Sequence, residues 1–339
     1  MRESGDNYAD GRYSLLQALP TGYCFSEFEI EEVVGRGGFG IVYRAWDHRK
    51  KRAIAIKEYL PATIVTRRND LILNLRRASF QKRFKTGLHC FMREAHIMGC
   101  FNHPCLPRFL RFWQQNSTAY IATPFYHGVT LKTLHVRYPK IITQNWLCNI
   151  LFPLLDAINT LHLAGYLHCD ISPDNILIQN DQLPILLDLG SVRKTTKSLT
   201  DDEEITVRPG FTPYEQYAAN SEENRQGPWT DIYALGAVLH TMVVGKPPPV
   251  SIMRDIEDHY HPLTQLCPAG YSASFLHAID CMLATDVSER PPTIAKLVSM
   301  IKPCIFQASH IPAFTTLSSD ILANCLYSDS SISDRQGGT

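Results

Sequence analysis

Apolar and polar positions alternate early in the chain. Phe28 and Ile30 are followed by Val33 and Val34, a glycine cluster, and then Ile41, Val42 and Tyr43. A turn-forming Asp47-His48-Arg49-Lys50 leads into Ala53-Ile54-Ala55-Ile56. Short β-prone runs broken by turn residues predict an antiparallel meander, not βαβ units. Residues 118–123 predict one more strand. Beyond them the period lengthens. Trp146, Ile150, Leu151, Leu154, Leu155, Ile158 and Leu161 recur at spacings of three and four, the mark of an amphipathic helix. Residues 231–244 are apolar nearly all round and predict a buried helix, stopped by Pro247-Pro248-Pro249. Further helices are expected near 273–284 and 293–301. The outline is α+β: a small β-rich N-terminal lobe, then a larger, mainly helical C-terminal lobe.

Three stretches stand apart. Residues 1–25 are polar, contain Gly5, Gly11, Pro20 and Gly22, and read as a leader. In residues 61–92, Arg67, Arg68, Arg76, Arg77, Lys82, Arg83 and Lys85 crowd a segment of weak periodicity. It reads as a solvated basic insertion, with a docking or regulatory surface as the sharper alternative. Residues 306–339 are rich in Ser and Thr and read as a mobile tail. The lobes are then 26–126 and 127–305.

Composition narrows the class. The chain has 339 residues, 33 Lys and Arg against 33 Asp and Glu, and 45% apolar content. That length can bury a core without disulfides or metals. Zero net charge argues against coating nucleic acid or hugging a membrane. No apolar run reaches the ~18 residues that cross a bilayer, and the N-terminus lacks a secretory signal. None of the ten cysteines forms CxxC, so most read as small buried hydrophobes in a reducing compartment. A cytoplasmic protein is expected.

The chemistry is carried by separated motifs. Gly35-Arg36-Gly37-Gly38-Phe39-Gly40-Ile41-Val42 fits GxGxxGxV but is followed by a strand, not a helix. Strand, glycine loop and strand can form a flap whose amides cover a nucleotide's phosphates. Ile54-Ala55-Ile56-Lys57 ends an apolar strand in a lysine. Such a lysine ordinarily faces solvent, but under a flap it can neutralise phosphate oxygens, with Glu94 as the carboxylate that holds it. His168-Cys169-Asp170-Ile171-Ser172-Pro173-Asp174-Asn175 fits HxDxxxxN, and an apolar strand ending in Asp188-Leu189-Gly190 follows. Asn175 and Asp188 offer the hard oxygens that Mg²⁺ takes beside phosphates, and Asp170 can accept or orient a hydroxyl proton. Taken singly, each Asp could be a turn or capping residue.

Together these motifs resemble the eukaryotic-like serine/threonine protein kinases of bacteria, over roughly residues 26–302. The resemblance implies a bilobal protein kinase-like fold and transfer of the γ-phosphoryl group of ATP to Ser or Thr hydroxyls of protein substrates. It implies a flap of Gly35, Gly37, Gly38 and Gly40, and adenine contacts from Val42, Ala55 and Leu177. Thr123 guards the pocket, and 124–126, with Phe125 and Tyr126, form the hinge. Lys57 pairs with Glu94, Asp170 is the base, and Asn175 with Asp188 holds magnesium. Residues 209–216 resemble the end of an activation segment, with Glu215 paired to Arg290 and Asp231 bracing the catalytic loop.

The chain departs from that pattern at four positions, of which Leu189, for the phenylalanine of Asp-Phe-Gly, keeps an apolar anchor. Cys169 replaces the arginine that receives an activation-loop phosphate, so a phosphate–arginine clamp is not expected despite Thr195, Thr196, Ser198, Thr200 and Thr206 in the loop. Ser172 replaces a lysine that steadies the γ-phosphate. Arg208 stands where a threonine is usual; either it restores the missing charge from the other side, or both changes are independent drift and transfer is slow. A pseudokinase scaffold that binds ATP or a partner is the alternative reading. A small-molecule phosphotransferase like the aminoglycoside kinases is disfavoured by the flap, the 209–216 segment and the Asp231 helix.

Overall fold

The computed structural model describes residues 17–194, 207–217 and 226–307, with side chains to 302. Most of the leader, the loop at 195–206 with its Ser and Thr residues, and most of the tail lie outside these residues. The chain divides into two compact units: the residues up to Asn102 with Pro107–Tyr126, and His103–Leu106 with the residues from His127 onward.

The first unit is built on a six-stranded antiparallel sheet. Its strands are β1 (Cys24–Phe25), β2 (Phe28–Gly37), β3 (Gly40–Asp47), β4 (Arg52–Tyr59), β7 (Arg111–Gln115) and β8 (Thr118–Pro124), in the order β1-β2-β3-β4-β8-β7. The small hairpin β5 (Val65–Arg67) and β6 (Leu73–Leu75) lies between β4 and the one long helix, α1 (Gln81–Cys100). Alternation gives the sheet two unlike faces. Ile41, Tyr43, Ala45, Ile54 and Ile56 point to one side and form a core with Leu19, Phe25, Phe28, Ile64, Val65 and Leu73. Val42, Ala55, Lys57 and Thr123 stand in register on the other face.

The basic insertion is therefore not a solvated appendage. Residues 61–75 cover the first face of the sheet, and 81–92 are the opening turns of α1. Arg67 is the sharpest correction, because its side chain is only 2% exposed. It donates to Glu58 Oε1 at 2.6 Å and to the carbonyls of Gln17 at 2.6 Å and Leu71 at 2.8 Å. Glu58 is fully buried and also accepts from Tyr43 at 2.6 Å and Tyr120 at 2.7 Å. Burial and the carboxylate beside them hold both phenols well above their usual pKa, so they remain donors. Arg68, Arg77, Lys82, Arg83 and Lys85 are exposed.

The second unit is mainly helical. It contains β9 (Gly128–Thr130), α2 (Leu131–Arg137), α3 (Gln144–Leu163), β10 (Tyr166–Leu167), β11 (Ile176–Gln179), β12 (Pro184–Leu186) and β13 (Arg193–Lys194). After these come α4 (Tyr214–Tyr217), α5 (Pro228–Val244), α6 (Ser251–Ile256), α7 (Leu263–Leu266), α8 (Ala273–Met282) and α9 (Ile294–Gln307). Strands β12-β11-β9 form a small antiparallel sheet, and β10 pairs with β13. Thr143 caps α3 by accepting from Trp146 N, and Ser272 caps α8 by accepting from Phe275 N. Helix α5 is buried nearly throughout and closes on Gly245 at φ 90°, a conformation suited to glycine. Although the sequence has no unbroken apolar run, α3 is long and apolar enough by composition to cross a membrane. Its Leu147, Ile150, Leu151, Leu154, Leu155, Ile158 and Leu161 are instead buried in this unit, as in a core helix.

Candidate active site

In the first unit the glycine cluster spans the tight hairpin between β2 and β3. Gly35 pairs with Val42, and Gly37 with Gly40, leaving Gly38-Phe39 as the turn. The glycines differ in what they permit. A Cβ on Gly40 would lie 2.3 Å from the carbonyl oxygen of Glu58, so that glycine lets the flap lie against β4. Gly37 and Gly38 face open space, and Phe39 at the tip is 59% exposed. Bare backbone beside open space is what a phosphate chain needs.

Lys57 leaves β4 from the flap's face of the sheet, opposite Val42 and Ile121. Its ammonium donates to both oxygens of Glu94 on α1, at 2.8 and 3.0 Å. Glu94 is 4% exposed, so the lysine ties a buried carboxylate to a cation that keeps one side open. At the end of the unit, Phe125 N donates to the Ala53 carbonyl and lies beside Arg44, while the Tyr126 hydroxyl accepts from Arg108 N.

In the second unit the segment 168–175 is held from below. The Asp231 carboxylate, on α5, accepts from His168 N at 2.8 Å and Cys169 N at 2.9 Å and bonds His162 Nε2 at 2.8 Å. Burial alone would raise the pKa of Asp231. The His162 hydrogen bond and charge, with those of His168, outweigh it and leave the carboxyl below the usual range. From the activation-segment side, Gln216 Nε2 donates to the Cys169 carbonyl at 2.8 Å. Arg290 pairs with Glu215 at 2.8 Å, both almost fully buried.

This frame sets Asp170 and Asn175 together. Asn175 Nδ2 donates to the carbonyl of Asp170 and to its Oδ2, each at 2.8 Å. Leu187 N donates to the Asn175 carbonyl at 2.7 Å, which brings the next residue, Asp188, up to the catalytic loop. Asp188 has a left-handed backbone at φ 60°, and its Oδ1 accepts from Gly190 N. The amide nitrogen of Asn175 is taken up by Asp170, which leaves its side-chain oxygen as an acceptor, and Asp188 follows the residue bound to the Asn175 carbonyl. That donor pair fits Mg²⁺, which takes few protein oxygens and completes its shell with phosphate and water. Among the described residues no group of three or more His, Cys, Asp or Glu forms a metal cage of its own. Leu177, half-buried on β11, pairs with Thr130 and Ile185.

Arg208 reaches the same carboxylate. Its Nε donates to Asp170 Oδ1 and its Nη2 to Oδ2 at 3.0 Å. That hydrogen bond, against some loss of hydration, raises the pKa of the guanidinium further. Ser172 is 1% exposed and its hydroxyl has no partner. Cys169 is buried and its thiol is pushed well up by that burial, so it is an inert filler where an arginine was expected. Sequence reasoning missed the Glu58–Arg67 pair and the exposed bridge from Lys132 to Asp174 at 2.9 Å. Neither carries a motif.

Comparison with known proteins bears on the family. The protein kinase domain family matches residues 28–300. Serine/threonine-protein kinase PknK of Mycobacterium bovis is 28% identical over 292 residues, 84% of this chain but 24% of its own length. Serine/threonine-protein kinase PknB of Mycobacterium tuberculosis is 29% identical over 238 residues, 66% of this chain and 34% of its own. The chain thus spans about a quarter to a third of these curated relatives. A solved structure, PpkA-294 apo form, is 53% identical, with a TM-score of 0.77, covering 84% of this chain and 99% of that one. A glycine flap, a paired lysine, a braced Asp–Asn loop and a family match over most of the sequence lead to one assignment: the chain belongs to the protein kinase domain family.

Proposed function

We propose that this domain transfers the γ-phosphoryl group of ATP to Ser or Thr hydroxyls of proteins, its own included. The observation that carries the reading is the cluster in the second unit. Asp170 is held by Asn175, and the Asn175 carbonyl is pinned to the residue preceding Asp188. A substrate hydroxyl attacks the γ-phosphorus, ADP leaves, and the hydroxyl proton is oriented toward Asp170. Asn175 and Asp188 would hold Mg²⁺, which neutralises charge on the phosphates when bound. The flap amides at Gly37 and Gly38 and the ammonium of Lys57 are the phosphate-facing groups of the first unit. Serine or threonine as acceptor is supported by the serine/threonine-protein kinases among the relatives.

Two further parts of the proposal concern surroundings. The exposed cations Arg68, Arg77, Lys82, Arg83 and Lys85 are assigned to docking an acidic segment of a protein partner. A cytoplasmic setting is part of the same proposal, supported by ten cysteines of which none forms CxxC.

Incubation with labelled ATP and Mg²⁺ tests the central claim, with autophosphorylation and Ser/Thr peptide arrays as readouts. Asp170→Ala and Asp188→Ala are expected to cut turnover by at least ~10²-fold. Label incorporation that persists in Asp188→Ala, or none in the parent protein, refutes it.

A further inference from the structure

Lys57 and Tyr59 lie two positions apart on β4 and so face the same side of the sheet, toward α1. Lys57 meets Glu94, whereas Tyr59 meets α1 seven residues earlier, about two helical turns, at Gly87. A Cβ on Gly87 would lie 2.1 Å from the Tyr59 hydroxyl oxygen, 2.9 Å from Cζ and 3.3 Å from Cε2. The Tyr59 ring lies between Phe84 at 5.3 Å and Phe91 at 5.7 Å, and its hydroxyl donates to the Phe84 carbonyl at 3.3 Å. Lys57 Nζ is 5.9 Å from the centre of the same Phe91 ring. Tyr59 is 3% exposed and thus fills a notch in the helix that only a glycine leaves open.

The other side of Tyr59 is fixed as well. Its carbonyl accepts from Thr118 Oγ1, and it stands opposite Gly40, where the flap touches the β4 backbone. The strand has no room to retreat from the helix. Glycine is a poor helix former, so its place inside a 20-residue helix calls for a reason, and the tyrosine supplies one.

We propose that Tyr59 and Gly87 are positioning residues, a knob and notch that set α1 along β4 so that Glu94 reaches Lys57. The Lys57–Glu94 pair is then a resting property of the first unit. The inference rests on the phosphotransfer reading, in which Lys57 serves the phosphates. Opening a 2.1 Å contact to ordinary packing distance demands a shift on the order of 1 Å, a displacement that can cost ~10²-fold in rate. A helix moves as a body, so the displacement reaches Glu94, and two hydrogen bonds at 2.8 and 3.0 Å do not both survive it.

The test is a size swap in the full chain: parent, Gly87→Ala, Tyr59→Phe and the double variant, compared by kcat, ATP KM, melting temperature and amide hydrogen exchange of residues 81–94. Alanine is the better helix former, so a helix with spare room at position 87 keeps or gains stability and keeps its rate. The notch instead requires Gly87→Ala to lower kcat by about 10- to 100-fold. Removing the Tyr59 hydroxyl relieves the shortest contact, so the double variant must regain about threefold or more over Gly87→Ala, a coupling expected of touching residues. Parental kcat in Gly87→Ala, or a double variant no better than the single, overturns the proposal. If Gly87→Ala is insoluble, recovery of folded, active protein on adding Tyr59→Phe supports it, and failure to recover overturns it. Hydrogen exchange reads the notch independently of phosphotransfer. Even in a protein without turnover, Gly87→Ala must speed exchange in 81–94 and the second substitution must slow it again. Unchanged exchange overturns the notch.

Discussion

At the scale of single residues, one departure from the kinase pattern, Arg208, meets the Asp170 carboxylate. Arg208 covers both oxygens of Asp170, and the side chain at 172, where a lysine was expected, is a buried serine with an unpartnered hydroxyl. Arg208 is expected to supply the positive charge that a lysine at 172 would bring. A guanidinium about one-third exposed can pass from Asp170 to an incoming phosphate without unfolding its surroundings. Arg208→Thr is therefore expected to lower kcat about 10-fold or more, since removing one donor from a transition-state oxyanion has such effects, with little change in ATP KM. Adding Ser172→Lys to Arg208→Thr should recover part of the loss. Steady-state kinetics of the three proteins check this, and a parental kcat in Arg208→Thr ends the compensation idea.

At the scale of elements, legibility followed periodicity. Strands β2 to β4 are legible from alternation and α3 from three-and-four spacing, because one face of each is buried, and α5 from being apolar nearly all round, because it is buried nearly throughout. The catalytic loop was legible because its chemistry needs fixed residues at fixed spacing. The hairpin β5–β6 was not, because its anchor is polar. Glu58 carries no motif, yet it is the centre of a buried network of Arg67, Tyr43 and Tyr120. Gly87 was likewise silent, since a close approach leaves no pattern in the sequence. The buried pair is directly testable. Arg67→Met strands a carboxylate in the core and is expected to cost about 3–5 kcal/mol in denaturant unfolding. Glu58→Gln in the same chain removes the stranded charge while leaving an oxygen for the tyrosines, so the double variant should recover more than half. An Arg67→Met loss below about 1 kcal/mol, the range of surface pairs, would show that Glu58 does not depend on Arg67.

At the scale of the whole molecule, the question is what sets the machinery in its working arrangement. A phosphate-driven switch needs a cation at the catalytic loop to receive the phosphate. Position 169 instead holds a buried cysteine with its backbone at φ 62°, its amide on Asp231 and its carbonyl on Gln216. The activation-segment end is fastened by side chains: Arg290 to Glu215, Thr230 to Glu215, Ser251 to the Thr212 carbonyl and Arg208 to Asp170. In the first unit Lys57 is on Glu94. With these side-chain contacts in each unit and no arginine at 169 to receive a phosphate, activity is expected to depend little on loop phosphorylation. Protein stripped by a phosphatase should therefore transfer its first phosphoryl group to an exogenous peptide at a rate within about fivefold of the phosphorylated protein, since couplings in true switches begin near that value. Single-turnover measurements are the proper check, because they read the reaction before autophosphorylation restores the modification. A larger loss, reversed as label accumulates on Thr195, Thr196, Ser198, Thr200 or Thr206, would mean that another cation has taken over from the arginine missing at 169.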